Sequence, residues 1–300
     1  MNQDTEKCIA YIHNFLRASC IIPFKQFQHL ELKQKLKQNQ QFQNKYHGKR
    51  CFVLGNGPSL QKQNLTLLQN EKVFTVNNFY LHPQTETIAP DFHLLADPVH
   101  FKDEKNFVLR TEQAFSELVK KSPNIKILLP TVGYKTACKY QWESKWPIYF
   151  FSPIYDYADN LVRTNCSRNI TCFSTVVQYA IEWAIFMGFA EIYLLGCDCT
   201  GIISVCESRK NNKKSGENLS QHKEHFYEEQ KLKDIYMANA IAQNSCELEF
   251  ESWTSIFRGY RILNEWCKKQ GIIFQNATEG GILDSVPLVR YESLFSQGDK

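Results

Sequence analysis

The sequence has little excess charge of either sign. Its 300 residues carry 35 Lys+Arg against 31 Asp+Glu, a formal net charge of +4, too small to mark a nucleic-acid binder, and no nucleic-acid partner is expected. It lacks a Gly-Lys-Ser/Thr Walker loop, the third glycine of the dinucleotide fingerprint, an Asp-x-Asp motif, a Ser-His-Asp pattern and any internal repeat. Its 11 cysteines are odd in number and follow no repeating spacing, which at this length excludes a small disulfide scaffold. The opening MNQDTEKCIAYIHNFLRASCIIPF has neither the basic start nor the unbroken apolar stretch of a signal peptide. Reduced thiols in a cytoplasmic protein are therefore expected. The longest apolar stretch, Val176 to Cys197, is broken by Glu182, Gly188 and Glu191. That reads as a helix followed by a buried strand rather than a membrane span.

What is present is ordinary for a globular domain: 43% hydrophobic, 13% aromatic and 22% charged residues, which excludes a disordered or collagen-like chain. The charge is unevenly divided. The first 50 residues hold nine Lys/Arg and three Asp/Glu, the remaining 250 hold 26 against 28. Residues 1–49 read as a basic helical N-terminal arm with helices near 5–17 and 26–45. Such an arm is either a solvated helix packed on the domain edge or a peripheral contact to an anionic inner-membrane face, a partner or a polyanionic substrate.

From Arg50 onward, β-rich runs at 50–55, 72–77, 91–96, 125–129, 148–151, 191–196 and 272–276 alternate with helical stretches. Those stretches lie near 59–70, 103–121, 134–145, 173–188, 223–243, 250–270 and 287–296. The alternation predicts an α/β, Rossmann-like, mostly parallel sheet flanked by helices over 50–300. A polar stretch at 199–222, containing the basic run Arg209–Lys214, reads as a lid loop.

In such sheets ligands bind beyond the carboxyl ends of the strands, so the residues that follow each strand are the candidates. After the first strand comes Gly55, Asn56, Gly57, Pro58, Ser59, a turn into a helix whose free amides and dipole would face a phosphate; a tight turn without a ligand is the plain alternative. Asn77 and Asn78 follow the second strand, Asp97 the third and Asp198 the sixth. Thr171, Ser174 and Thr175 open a long apolar helix, as caps or as ligand donors. Glu279 stands in a glycine turn after the last strand. Cys197, Cys199 and Cys206 with His222 or His225 are conceivable zinc ligands by residue type, but C-x-C-x6-C is not a usual zinc spacing, and no metal site is expected.

The ordered set GNGPSL (55–60), NNFYL (77–81), MGFAEIYLLGCD (187–198) and NATEGGILDSVPLVRYESLF (276–295) resembles the DUF115 (MptE-like, motility-accessory) family. More distantly it is similar to the sialyltransferases of glycosyltransferase family 42. The resemblance implies a metal-independent glycosyltransferase using a nucleotide-activated sugar such as a CMP-nonulosonic acid, in surface glycan or flagellin glycosylation, with a glycan or protein acceptor. Gly55, Asn56, Gly57, Asn77 and Ser174 or Thr175 would fall on the sialyltransferase donor site. Asp97 stands where those enzymes have Asn, and their tyrosine pair is missing from CDCTGIISVC. His225, or else His222, would be the base that deprotonates the acceptor. The same resemblance implies two alternatives. One is a pterin diphosphokinase using ATP and Mg²⁺, with Asp97 and Asp198 as metal candidates. The other is a non-catalytic nucleotide-binding subunit of a polysaccharide assembly system.

Overall fold

The computed structural model describes residues 26–155, 161–203, 206, 225–226 and 245–295. The expected helices at 5–17 and 223–243, and most of the expected lid, lie outside the described residues.

All seven β-rich runs form strands, and an eighth joins them: β1 Arg50–Leu54, β2 Lys72–Val76, β3 Phe92–Leu94, β4 Lys126–Pro130, β5 Ile148–Tyr155, β6 Asn169–Thr171, β7 Glu191–Leu195 and β8 Ile273–Asn276. The unanticipated β6 is only three residues long, too short to show a period. Every pairing is parallel, and the order is β6-β5-β4-β3-β2-β1-β7-β8. Strands β1, β4 and β7 are apolar on both faces, as a parallel sheet covered on both sides favours, while β2 and β3 bury Thr75 and His93 against each other at 2.8 Å. On one face Val53, Phe74, Phe92 and Leu194 pack with Trp183 and Leu263. On the other, Phe52, Leu54 and Leu195 pack with Leu60 and Tyr291, and Ile127 and Leu129 with Leu36 and Phe115.

The helices are α1 Gln26–Gln38, α2 Thr85–Ile88, α3 Lys105–Lys121, α4 Tyr134–Lys139, α5 Trp142–Lys145, α6 Val176–Phe186 and α7 Cys246–Lys269. Three expected helices are corrected. Residues 59–70 form two separate 3-10 turns, Pro58–Gln61 and Leu65–Leu68. Asn64 divides them because its side chain caps the second turn at Thr66. The 134–145 stretch breaks at Gln141, which has φ +55, and 287–296 contains only the 3-10 turn Tyr291–Leu294.

The stretch 30–49 is built into the domain. Leu32 and Leu36 are buried beside Phe150. The first helix stops at Gln38 because the Asn39 side chain turns inward and donates to the carbonyls of Phe150 and Cys166, both at 2.7 Å. Phe42 is 1% exposed, and Tyr46 stacks on Phe189 with ring centroids 4.9 Å apart. The sequence boundary at 49 is thus crossed by core packing; the apolar residues at 32, 36 and 42 are masked in the sequence by the Gln and Lys between them.

Strands β1 to β6 run outward in one direction, while β7 and β8 lie on the other side of β1. The point where the winding reverses, between the carboxyl ends of β1 and β7, is where an open parallel sheet leaves a crevice.

Candidate functional site

The crevice is walled by the turn after β1 and the turn after β7, and the glycines let the two interlock. The Gly55 amide donates to the Leu195 carbonyl and the Gly57 amide to the Gly196 carbonyl, each at 2.8 Å. A Cβ on Gly55 would meet the Gly196 carbonyl, and one on Gly57 would run into the Asp198 carboxylate. Asp198 accepts from the Ser59 amide at 3.1 Å and from its hydroxyl at 2.8 Å. Burial raises the Asp198 pKa, and the Ser59 hydrogen bonds oppose that rise. The loop after β8 closes the knot: the Ile282 amide donates to the Asp198 carbonyl at 2.9 Å, and Gly281 has φ +84 against the Asp198 backbone. The free-amide phosphate cradle expected here is therefore corrected. The amides of Gly55, Gly57 and Ser59 are engaged within the fold, and Pro58–Gln61 is a single 3-10 turn with too little length for a helix dipole.

The unmet hydrogen-bonding capacity lies one residue away. Asn56 is 8% exposed. Its Nδ2 donates to the Val76 carbonyl at 3.1 Å, which fixes the amide orientation and leaves Oδ1 buried with no hydrogen-bond partner among the described residues. Asn77, at the end of neighbouring β2, has φ +49, and its Oδ1 is likewise buried without a partner. An unsatisfied buried acceptor costs about 1–3 kcal/mol. These two stand at the ends of neighbouring strands, β1 and β2.

The remaining candidates divide. Asn78 is half-buried in the turn Asn77–Leu81. Asp97 is exposed and caps Pro98–Phe101 through the Val99 amide at 3.0 Å. Thr171 lies buried in β6; its hydroxyl accepts from the Arg163 amide at 2.7 Å, and its amide donates to Glu182 at 3.1 Å. Thr175 is the N-cap of α6 in a reciprocal capping box with Gln178, so capping accounts for it. Ser174 and Glu279 are exposed. Cys197 is buried, and burial pushes the Cys199 thiol up to about 12. No group of three or more His, Cys, Asp or Glu gathers as a metal site among the described residues. His222 lies outside them.

His225 is half-buried and is tied to the crevice by its neighbour. The Phe226 amide donates to the Asn56 carbonyl at 2.9 Å, and Gln61 Nε2 donates to the Phe226 carbonyl at 2.5 Å. The Phe226 ring meets His82 edge-on at 4.8 Å and Phe79 at 5.8 Å. Sequence reading missed Gln61, His82 and Phe226. His82 accepts from the Gln84 amide at 3.2 Å through Nδ1; burial, with Lys121 nearby, lowers its pKa to about 4. The only signal for it was its place directly after NNFYL.

The sheet order and the crevice at its reversal define a Rossmann-like α/β protein, flanked by helices and all-parallel. Within that class the chain belongs to the MptE-like family: the model for "6-hydroxymethylpterin diphosphokinase MptE-like" matches residues 27–202. One solved structure similar to it is that of the sialyltransferase CstII from Campylobacter jejuni, in complex with the substrate analogue cytidine-5'-monophosphate. The identity is 15%, over 81% of this chain and 85% of that one, with a TM-score of 0.44; at that score it adds nothing to the fold read from the sheet. No curated protein matches the chain. Among the described residues no helix is long and apolar enough to cross a membrane.

Proposed function

We propose that the chain is a nucleotide-dependent transferase, moving a glycosyl group from a nucleotide-sugar donor to a hydroxyl of a glycan or protein acceptor. The observation that carries this reading is the pair of buried oxygens, Asn56 Oδ1 and Asn77 Oδ1, that have no hydrogen-bond partner among the described residues at the switch-point edge. Acceptors of that kind call for hydroxyl or amino donors, which a ribose, a sugar or an exocyclic base amine supplies and an ionised phosphate does not. The corner therefore reads the nucleoside or sugar part of the donor. His225, joined through Phe226 to the Asn56 turn, is the base in this reading. It takes the acceptor proton as the acceptor oxygen attacks the anomeric carbon; the bond from that carbon to the phosphate oxygen breaks, and the nucleotide leaves with the electron pair. Ser174, Asp97 and Glu279, exposed after the ends of β6, β3 and β8, are the sugar and acceptor contacts. A CMP-nonulosonic acid used in surface glycan or flagellin glycosylation, by a cytoplasmic or inner-face peripheral protein, is the specific form of this proposal.

The family description favours a second reading, a diphosphokinase in which a pterin hydroxyl attacks the β-phosphorus of ATP and AMP leaves. That chemistry uses Mg²⁺, held by one or two carboxylates together with phosphate oxygens. The two carboxylates proposed for it do not form a ready pair. Asp198 gives both oxygens to Ser59, and Asp97 gives one to Val99. A third reading, a non-catalytic nucleotide-binding subunit, requires binding without turnover.

A thermal-shift panel of CMP, CDP, UDP, GDP and ATP with and without Mg²⁺ separates the first two readings, and turnover of the nucleotide that binds separates both from the third. Metal-independent stabilisation by a pyrimidine nucleotide, lost in Asn56→Ala, is the expected result, since a ligand of the folded state raises Tm by mass action. Stabilisation by ATP only with Mg²⁺ would favour the second reading instead, and no response to any nucleotide would sink all three.

A further inference from the structure

Phe226 links the proposed base to the Asn56 turn without touching the reacting groups itself. It is 7% exposed, and its described contacts converge on the crevice. Its amide holds the Asn56 carbonyl, its own carbonyl accepts from Gln61, and its ring sits against His82 and Phe79. Phe79 lies in the turn that Asn77 opens. Asn56 and Asn77 are the same two residues whose side-chain oxygens lack donors. A ligand at those oxygens and the docking of Phe226 thus act on one small piece of backbone, from its two sides.

We propose that Phe226 is the positioning residue of the site: its seat on the Asn56 turn holds His225 at the crevice, so that ligand binding at Asn56 and Asn77 and placement of the base are energetically coupled. The proposal rests on the nucleotide-dependent reading above and specifies how that site is assembled. A ligand that fixes the Asn56–Asn77 backbone favours the seat for Phe226, and a seated Phe226 holds the Asn56 carbonyl in the geometry the ligand uses. Coupling between two binding events is reciprocal, so each must strengthen the other by the same factor. His82 belongs to this seat as the neutral ring on which Phe226 rests, and Gln61 as its second hydrogen bond.

The test is hydrogen exchange at the Phe226 amide in the full chain, with and without whichever nucleotide the thermal panel identifies, alongside titration calorimetry on variants. Gln61→Glu is the informative variant because Gln61 is exposed, and the change removes the donor to Phe226 while keeping the size. The expected result is slower exchange at Phe226 when nucleotide is bound. Gln61→Glu and Phe226→Ala should bind nucleotide about fivefold more weakly, the worth of one net hydrogen bond, and Phe226→Leu should recover most of the loss. Turnover should fall further than affinity in Phe226→Ala, because the base is displaced as well. Nucleotide binding with unchanged Phe226 exchange, or with full affinity in Gln61→Glu, would overturn the coupling while leaving the transferase reading intact. Failure of every nucleotide to bind the wild-type chain would remove both.

Discussion

At the scale of the residue, the candidate site trades stability for unmet polar capacity. Asn77 holds φ +49 with a buried, unpartnered oxygen. Glycine accepts that backbone freely and has no oxygen to desolvate. Asn77→Gly is therefore expected to raise stability by about 1 kcal/mol, read as a Tm increase of about 3 °C, while weakening nucleotide binding. A lower Tm would show that Asn77 has a partner in solution. Gly57 behaves in the opposite sense. Its Cβ would occupy the Asp198 carboxylate, so Gly57→Ala should cost about 3 kcal/mol in urea unfolding. Gly57→Ala combined with Asp198→Gly should cost less than the two changes added, because removing the Asp198 carboxylate removes the clash it makes with the new Cβ. Acid sensitivity should come from His82 and His93, which burial holds at about 4 and about 3. Both rings are neutral in the fold and charge more readily in the unfolded chain. The stability they contribute is full above pH about 6.5 and is lost as pH falls toward 4, by up to about 1.4 kcal/mol per pH unit for each ring. The raised carboxyls of Asp198 and Glu182 act in the opposite direction, so the diagnostic is a variant. His82→Asn keeps an acceptor for the Gln84 amide and should flatten the acid limb; an unchanged slope would remove His82 from the account.

At the scale of the element, two sequence features that allow either packing or an external contact carry packing in the fold. The Thr175–Gln178 capping box starts α6, and Gln178 Nε2 reaches on to the Ile256 carbonyl of α7 at 2.8 Å. Gly259 is there because a side chain would strike Gln178. Thr175→Ala should therefore cost about 1 kcal/mol of stability, and Thr175→Ser should restore it. Undiminished stability in Thr175→Ala with lost ligand binding would return Thr175 to the ligand. The stretch 30–49 is likewise part of the core, so removal of residues 1–45 is not a clean test of membrane binding. Phe42→Ala alone should cost about 4 kcal/mol, and a truncation through residue 45 should fail to give a cooperative unfolding transition. Strands were the most legible elements, since runs such as RCFVL and EIYLL carry their apolar pattern in five contiguous residues. The turn after β1 was the least, because Pro58 and Ser59 suit both a helix start and the 3-10 turn that forms, and the choice depends on Asp198.

At the scale of the whole molecule, the sequence by itself determined the alternation of strand and helix, hence a parallel sheet, and the edge of that sheet along which functional residues would lie. It did so because hydrophobic period and turn chemistry are local properties, written within a few residues of one another. Only the tertiary structure decided the strand order, and with it the reversal between β1 and β7 that makes a crevice. It also decided what each polar residue at that edge does. Ser59 and Asp198 are 139 positions apart, and Gln61 and Phe226 are 165 apart. From sequence alone, Gly55–Ser59 reads as amides facing a phosphate; in the fold the amides of Gly55, Gly57 and Ser59 are taken by Leu195, Gly196 and Asp198. The Asn56 and Asn77 side-chain oxygens, at the ends of neighbouring strands, have no partner among the described residues. A hydrogen-bonding group is available to a ligand only if no distant part of the chain has claimed it, and only folding brings those distant claimants into reach.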